Sequence, residues 1–152
     1  MDQAEEVLLS GGSAGGLATF LHTDYVHSRM PPSVRKFKSS PVSGFFLQHH
    51  DATGAASYPE NMKHVFEMQN STGGVNADCV ASLPAEEQWR CIFANYSYAH
   101  IKAPIFPLNS AIDAWQMGNI WMGDGSCAKD EFKTCTTRQV SVTLCSFIVT
   151  TS

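Results

Sequence analysis

Glu6-Val-Leu-Leu-Ser-Gly-Gly-Ser-Ala-Gly-Gly16 is the stretch on which the fold turns. Its apolar opening, Glu6-Val-Leu-Leu9, suits a strand. It runs into Ser10-Gly-Gly-Ser-Ala-Gly-Gly16, where small residues permit a sharp bend and close backbone approach. Beyond the bend, Ala14, Leu17, Ala18, Leu21 and Tyr25 recur at the i, i+3, i+4, i+7 and i+11 spacing of one apolar helix face, until Pro31-Pro32 stops the pattern. The opening of the chain therefore reads strand, turn, helix.

Working outward, Ser33 to Ser40 reads as a basic, Ser-rich loop, and the aromatic run Val42-Ser-Gly-Phe-Phe-Leu47 as the next strand of the same sheet. Met62, Val65, Phe66 and Met68 predict a helix over Tyr58 to Gln69, ended by Gly73-Gly74. Asn76 to Ser97 has no clean period. Pro104-Ile-Phe-Pro-Leu108 reads as a third strand, made irregular by Pro107, and Val140-Ser-Val-Thr-Leu144 alternates like a strand within a Ser, Thr and Cys-rich tail. Strands alternating with helices predict an α/β fold, a mostly parallel sheet with helices on both faces. No internal repeat or low-complexity linker interrupts it.

At 152 residues with 43% hydrophobic and 11% aromatic content, residues 1–152 have the make-up of one globular domain. Ten basic and fourteen acidic residues are mixed without a block of like charge, which leaves no footprint for nucleic acid or a membrane surface. No apolar run approaches the roughly 18 residues of a membrane span, and Met1-Asp-Gln-Ala-Glu-Glu6 is acidic where a signal peptide is basic and then apolar. No export signal is expected in this chain. The cysteines point the other way: Cys79, Cys91, Cys127 and Cys135 form two short-range pairs without metal spacing, as disulfides of exported proteins often do. The sequons Asn70-Ser-Thr72 and Asn95-Tyr-Ser97 are compatible with that route. A secreted parent with its N-terminus outside this chain reconciles these signals; the alternative is a cytosolic protein with five reduced cysteines, and Cys145 is unpaired in either case.

Gly11-Gly-Ser-Ala-Gly15 satisfies G-x-S-x-G directly between a strand and a helix, where that motif raises a strained serine hydroxyl over the carboxyl edge of a sheet. Ser13 is then a candidate nucleophile. The N–H of Ala14, at the positive end of the helix, is the expected oxyanion donor. The alternative is a Gly-rich turn that binds phosphate or nothing. A serine needs a histidine base and an orienting acid, which follow it in this motif's fold in the order Ser, Asp or Glu, His. Asp113, just beyond the third apolar run, has the right location for the acid; its other reading is the N-cap of a helix beginning at Ala114-Trp-Gln-Met. His22, His27, His49, His50, His64 and His100 all precede Asp113, so the expected base is absent. His22 would stand roughly 13 Å along the helix from the nucleophile, outside hydrogen-bond reach. His49-His50, past the second expected strand, is geometrically conceivable as a substitute, against a solvated loop pair.

Val7-Leu-Leu-Ser-Gly-Gly-Ser-Ala-Gly-Gly-Leu-Ala18 resembles the nucleophile segment of the pectin acetylesterase and Notum family of carboxylesterases. Ser43-Gly-Phe-Phe-Leu47 and Leu83-Pro84 with Trp89-Arg-Cys-Ile-Phe93 resemble later blocks, and Ala103-Pro-Ile-Phe-Pro-Leu-Asn-Ser-Ala-Ile-Asp-Ala-Trp-Gln116 resembles the segment carrying the triad aspartate. Cys127 and Cys135 match a pair of the plant enzymes. The likeness runs from about Glu6 to about Gln139, and 140–152 is an atypical tail. It implies an α/β-hydrolase-like fold and a secreted or cell-wall serine esterase with Ser13 as nucleophile and Asp113 as acid. It implies an acylated polysaccharide or acylated protein as substrate and no cofactor or metal. It also implies a central fragment, lacking the family's upstream Gly-rich loop and its downstream catalytic histidine. Deacetylation of pectin-like polysaccharide is the expected chemistry; the alternatives are Notum-like protein deacylation, or a catalytically incomplete fragment or non-catalytic binding module.

Overall fold

The computed structural model describes residues 3–122 and 133–137, grouped into two compact units. One unit comprises the described residues up to Leu47 together with Lys63–Asn109; the other comprises Gln48–Met62 and the described residues from Ser110 onward.

In the first unit β1 (Glu6–Gly12) leads through Ser13 into α1 (Ala14–Ser28), and β2 (Lys36–Val42) pairs with β1 in parallel, from Glu6 opposite Lys36 to Gly12 opposite Val42. The strand expected at Val42 to Leu47 thus lies earlier. Lys36-Phe-Lys-Ser-Ser-Pro-Val42 alternates exposed and inward residues, burying Phe37, Ser39 and Pro41. That period-two pattern is masked because serine and proline occupy apolar places, while the Ser39 hydroxyl is satisfied by the Pro104 carbonyl at 3.3 Å. Ser43, at φ 49°, then ends the strand, and Phe45 packs edge-on against Phe20.

The third expected strand reduces to two isolated parallel bridges to β2, Ser39 with Ile105 and Val42 with Leu108. Phe106 and Leu108 donate their N–H groups to the Ser39 and Pro41 carbonyls. Pro107, between them, lacks its N–H on the side facing away from β2, so the bonds to β2 are undisturbed.

The face α1 buries also differs from the expected one. Gly16, Thr19, Phe20 and Thr23 are buried, whereas Ala14, Ala18 and Tyr25 are exposed. Two threonines sit inside because each hydroxyl bonds the carbonyl one turn earlier, Thr19 to Gly15 at 2.9 Å and Thr23 to Thr19 at 2.5 Å, so no polar group is orphaned. Reading threonine as polar shifted the stripe. Phe20 anchors this face, joined edge-to-face by Phe45 and Tyr98; burying such a ring contributes roughly 1.5–3 kcal/mol.

α2 (Ser57–Met68) carries residues of both units and buries Phe66. The periodless stretch after it is a chain of short helices: α3 (Ala77–Ser82), a 3-10 turn over Ala85–Ile92, and α4 (Ala94–Ser97). Asn76 caps α3 through the N–H groups of Asp78 and Cys79, and a disulfide joins Cys79 to Cys91, both buried. In the second unit α5 (Ala114–Gln116) continues into a π turn over Met117–Trp121, whose Met117, Ile120 and Trp121 form the core with Met122 and Ala52. Cys127, Cys145 and the expected strand at Val140 to Leu144 lie outside the described residues.

Candidate functional site

Ser13 stands between β1 and α1 with φ 53° and ψ −117°, a combination L residues rarely adopt. Its N–H donates to the Val42 carbonyl at 2.9 Å and its carbonyl accepts from Leu17 at 3.0 Å, so the backbone is tied to both β2 and α1. The side chain makes no capping bond to α1 and is exposed. A serine that forgoes the cap it could have made presents its hydroxyl to solvent at the carboxyl end of two parallel strands. Ala14, the first residue of α1, carries one of the N–H groups that a helix start leaves without an internal acceptor.

Two glycine contacts make this turn possible. A Cβ on Gly11 would run into the backbone of Gly15, but Gly15 itself has open space where its own Cβ would be. The second tight contact is between Gly16 and Gly44, where a Cβ on Gly16 would stand 2.7 Å from the Val42 carbonyl oxygen and 2.8 Å from the Gly44 Cα. Gly44 was not singled out in the sequence; the signal for it is only that a glycine stands two residues past the end of β2. Asn109 was missed likewise, and its Oδ1 accepts from the Phe45 N–H at 3.2 Å near the ends of both paired strands.

Asp113 belongs to the second unit, and Ser13 to the first. Asp113 is the N-cap of α5, and its Oδ1 accepts from the Gln116 N–H at 3.0 Å. One oxygen is thereby fixed by the helix, which sets the orientation of the carboxylate.

The histidines are dispersed. His22 and His27 are on α1, the latter stacked on Phe37 at 4.8 Å, and His64 is on α2. Because β2 ends at Val42, His49 and His50 do not adjoin it; they lie in the second unit, where His49 packs 4.0 Å from the Trp121 ring and its Nδ1 is bonded to the His50 carbonyl. Burial holds the His49 imidazole below its ordinary pKa, although its hydrogen bond to the His50 carbonyl works the other way. Among the described residues no three His, Cys, Asp or Glu side chains are grouped to hold a metal ion, and no helix is long and apolar enough to cross a membrane.

Residues 1–149 match the family model described as pectinacetylesterase. This chain belongs to the pectinacetylesterase family. Pectin acetylesterase 11 of Arabidopsis thaliana is 30% identical over 135 residues, covering 89% of this chain and 34% of the relative. The palmitoleoyl-protein carboxylesterase NOTUM of Drosophila melanogaster is 29% identical over 119 residues, covering 74% of this chain and 17% of the relative. This chain thus spans about a third of the length of its plant relatives. Among solved structures, the Wnt deacylase Notum from Drosophila aligns with a TM-score of 0.69 at 22% identity, over 97% of this chain and 43% of that one. The fold is α/β-hydrolase-like.

Proposed function

We propose that this chain carries the nucleophile and the orienting acid of an exported serine carboxylesterase that deacetylates pectin-like polysaccharide. The observation that carries the reading is Ser13, held at a strained backbone angle between strand and helix with its hydroxyl uncommitted. In the complete protein Ser13 Oγ attacks the ester carbonyl and loses its proton to a histidine. The Ala14 N–H stabilises the oxyanion, the sugar alcohol departs, and water then releases acetate from the acyl-enzyme. Asp113 orients the histidine through the oxygen that α5 does not occupy. That histidine comes from the family's downstream segment, since all six in this chain precede Asp113. Protein deacylation by the same machinery is the second reading, favoured by the likeness to the Notum carboxylesterase and by a longer acyl chain only if a deep apolar pocket is present.

Hydrolysis of nitrophenyl acetate and of a long-chain nitrophenyl ester tests this in three proteins: the 152-residue chain, a version extended to the length of its relatives, and that version with Ser13→Ala. The extended protein turns over the short ester in preference to the long one, and Ser13→Ala abolishes it. The 152-residue chain falls at least on the order of 1000-fold below, because a missing oxyanion donor alone costs about 100- to 1000-fold and a missing base more. Turnover that survives Ser13→Ala sinks the assignment, preference for the long ester replaces polysaccharide with acylated protein, and binding of acetylated pectin without turnover marks a binding module.

A further inference from the structure

We propose that Asn70 is an N-glycosylation site, and that the first sugar of the glycan lies against Trp89; the proposal rests on the reading of an exported protein. Asn70 follows the last turn of α2 in the left-handed conformation, φ 48° and ψ 51°, and its side chain makes no capping bond to the 3-10 turn over Ser71–Gly74. Asn70 and Thr72, the acceptor and hydroxyl positions of the sequon, are both exposed. The second sequon is presented differently. Asn95 lies within α4, and Ser97 is fully buried with its hydroxyl donated to the Phe93 carbonyl at 3.2 Å. Asn70 is therefore the sequon that the folded chain offers as a surface turn.

Asn70 and Thr72 also line a concavity of about 360 Å³ with Lys63, Glu86 and Trp89, a size in the range of small-molecule clefts. Lys63 Nζ and Arg90 Cζ each stand 5.8 Å from the centroid of the half-buried Trp89 ring, whose apolar surface borders this concavity and suits the C–H side of an N-acetylhexosamine. Lys63 and Glu86 supply hydrogen-bonding partners for its hydroxyl and acetamido groups. A separate observation sets the compartment: the Cys79–Cys91 disulfide pins the turn that bears Trp89, and such bonds persist where oligosaccharide transfer also takes place. The donor is a polyprenyl-pyrophosphate-linked oligosaccharide. Asn70 Nδ2 bonds to the anomeric carbon, the bond from that carbon to the pyrophosphate oxygen breaks, the lipid pyrophosphate leaves with the electron pair, and one amide proton passes to a base on the transferase.

The test is translation of the full chain behind a cleavable export leader in the presence of microsomes, with the protease-protected chain analysed by glycosidase digestion and peptide mass mapping. One glycan is expected, lost in Asn70→Gln and in Thr72→Ala, and kept in Thr72→Ser and Asn95→Gln. On the folded glycoprotein, Trp89→Ala speeds endoglycosidase release of the glycan several-fold, and Trp89→Tyr restores the slow rate. A protected chain without a glycan, or a glycan that persists in Asn70→Gln, overturns the site; release rates equal in Trp89→Ala and the parent overturn the Trp89 contact. The leader supplies entry, so these outcomes judge Asn70 alone. Free thiols at Cys79 and Cys91 in protein taken from its natural source count against export instead.

Discussion

Ser13 is held at φ 53° and ψ −117°, and a non-glycine residue in such a region stores about 1–3 kcal/mol. Glycine at this position releases that strain at the expense of more unfolded-state freedom, so Ser13→Gly is expected to raise stability by about 1 kcal/mol while removing the proposed nucleophile. Ser13→Ala keeps its Cβ and stays within about 0.5 kcal/mol of the parent. Urea unfolding of both variants measures the difference, and equal midpoints would show that the turn is not strained. His49 makes a second residue-scale prediction. Burial lowers its pKa from 6.5, so above that value folded and unfolded chains are both neutral and nothing is lost. As pH falls through 6.5 the unfolded chain takes the proton first, and stability declines until the folded value is passed. Unfolding midpoints between pH 8 and 5 should fall in the parent and flatten in His49→Gln; parallel curves would remove His49 as the cause. At this scale the sequence named Ser13 and its turn because G-x-S-x-G fell between two strongly patterned segments. It did not show the second glycine contact, since Gly44 meets Gly16 only once two strands and a helix have come together.

Among the elements, β1 and α1 were legible and β2 was not, for one physical reason. Leu8 and Leu9 declare a strand by their own hydrophobicity, whereas β2 buries Ser39 and Pro41, whose place inside depends on partners far along the chain. The apolar face of α1 was misread on the same ground, because Thr19 and Thr23 become core residues only by bonding carbonyls of their own helix. The short helices between Ala77 and Ser97 have no period to read; a cap, a disulfide and packing hold them. The Cys79–Cys91 bond closes a loop with a sequence separation of 12, which on the chain-entropy estimate stabilises the fold by about 3 kcal/mol. Reduction, or Cys79→Ala with Cys91→Ala, should therefore lower the denaturation midpoint of the first unit markedly. A shift worth less than about 1 kcal/mol would mean that the helices hold without their crosslink.

For the whole molecule, the sequence conveyed the class of fold and the family, because both rest on local blocks in a fixed order. The grouping of residues into two units was not legible, since it follows from contacts between stretches remote in the chain. Asp113 had two open readings, and the structure realises its capping of α5. One carboxylate shows how distant stretches are joined. Asp24, on α1, accepts from the Lys102 N–H, from the Ala103 N–H at 2.8 Å and from Asn76 Nδ2 at 3.2 Å, while Asn76 in turn caps α3. Its partners lie 52 to 79 residues downstream, so this latch forms only after long loops have closed, later than the β1-α1-β2 unit whose contacts are nearer in sequence. Interactions absent from the transition state govern unfolding rather than folding. Asp24→Ala should then leave the refolding rate almost unchanged and, for a loss of about 2 kcal/mol, speed unfolding about 30-fold, a split that stopped-flow chevrons resolve and that an equal slowing of refolding would refute. Asp24 is in that sense the timekeeper of the native state, setting how long the chain stays folded once it has arrived.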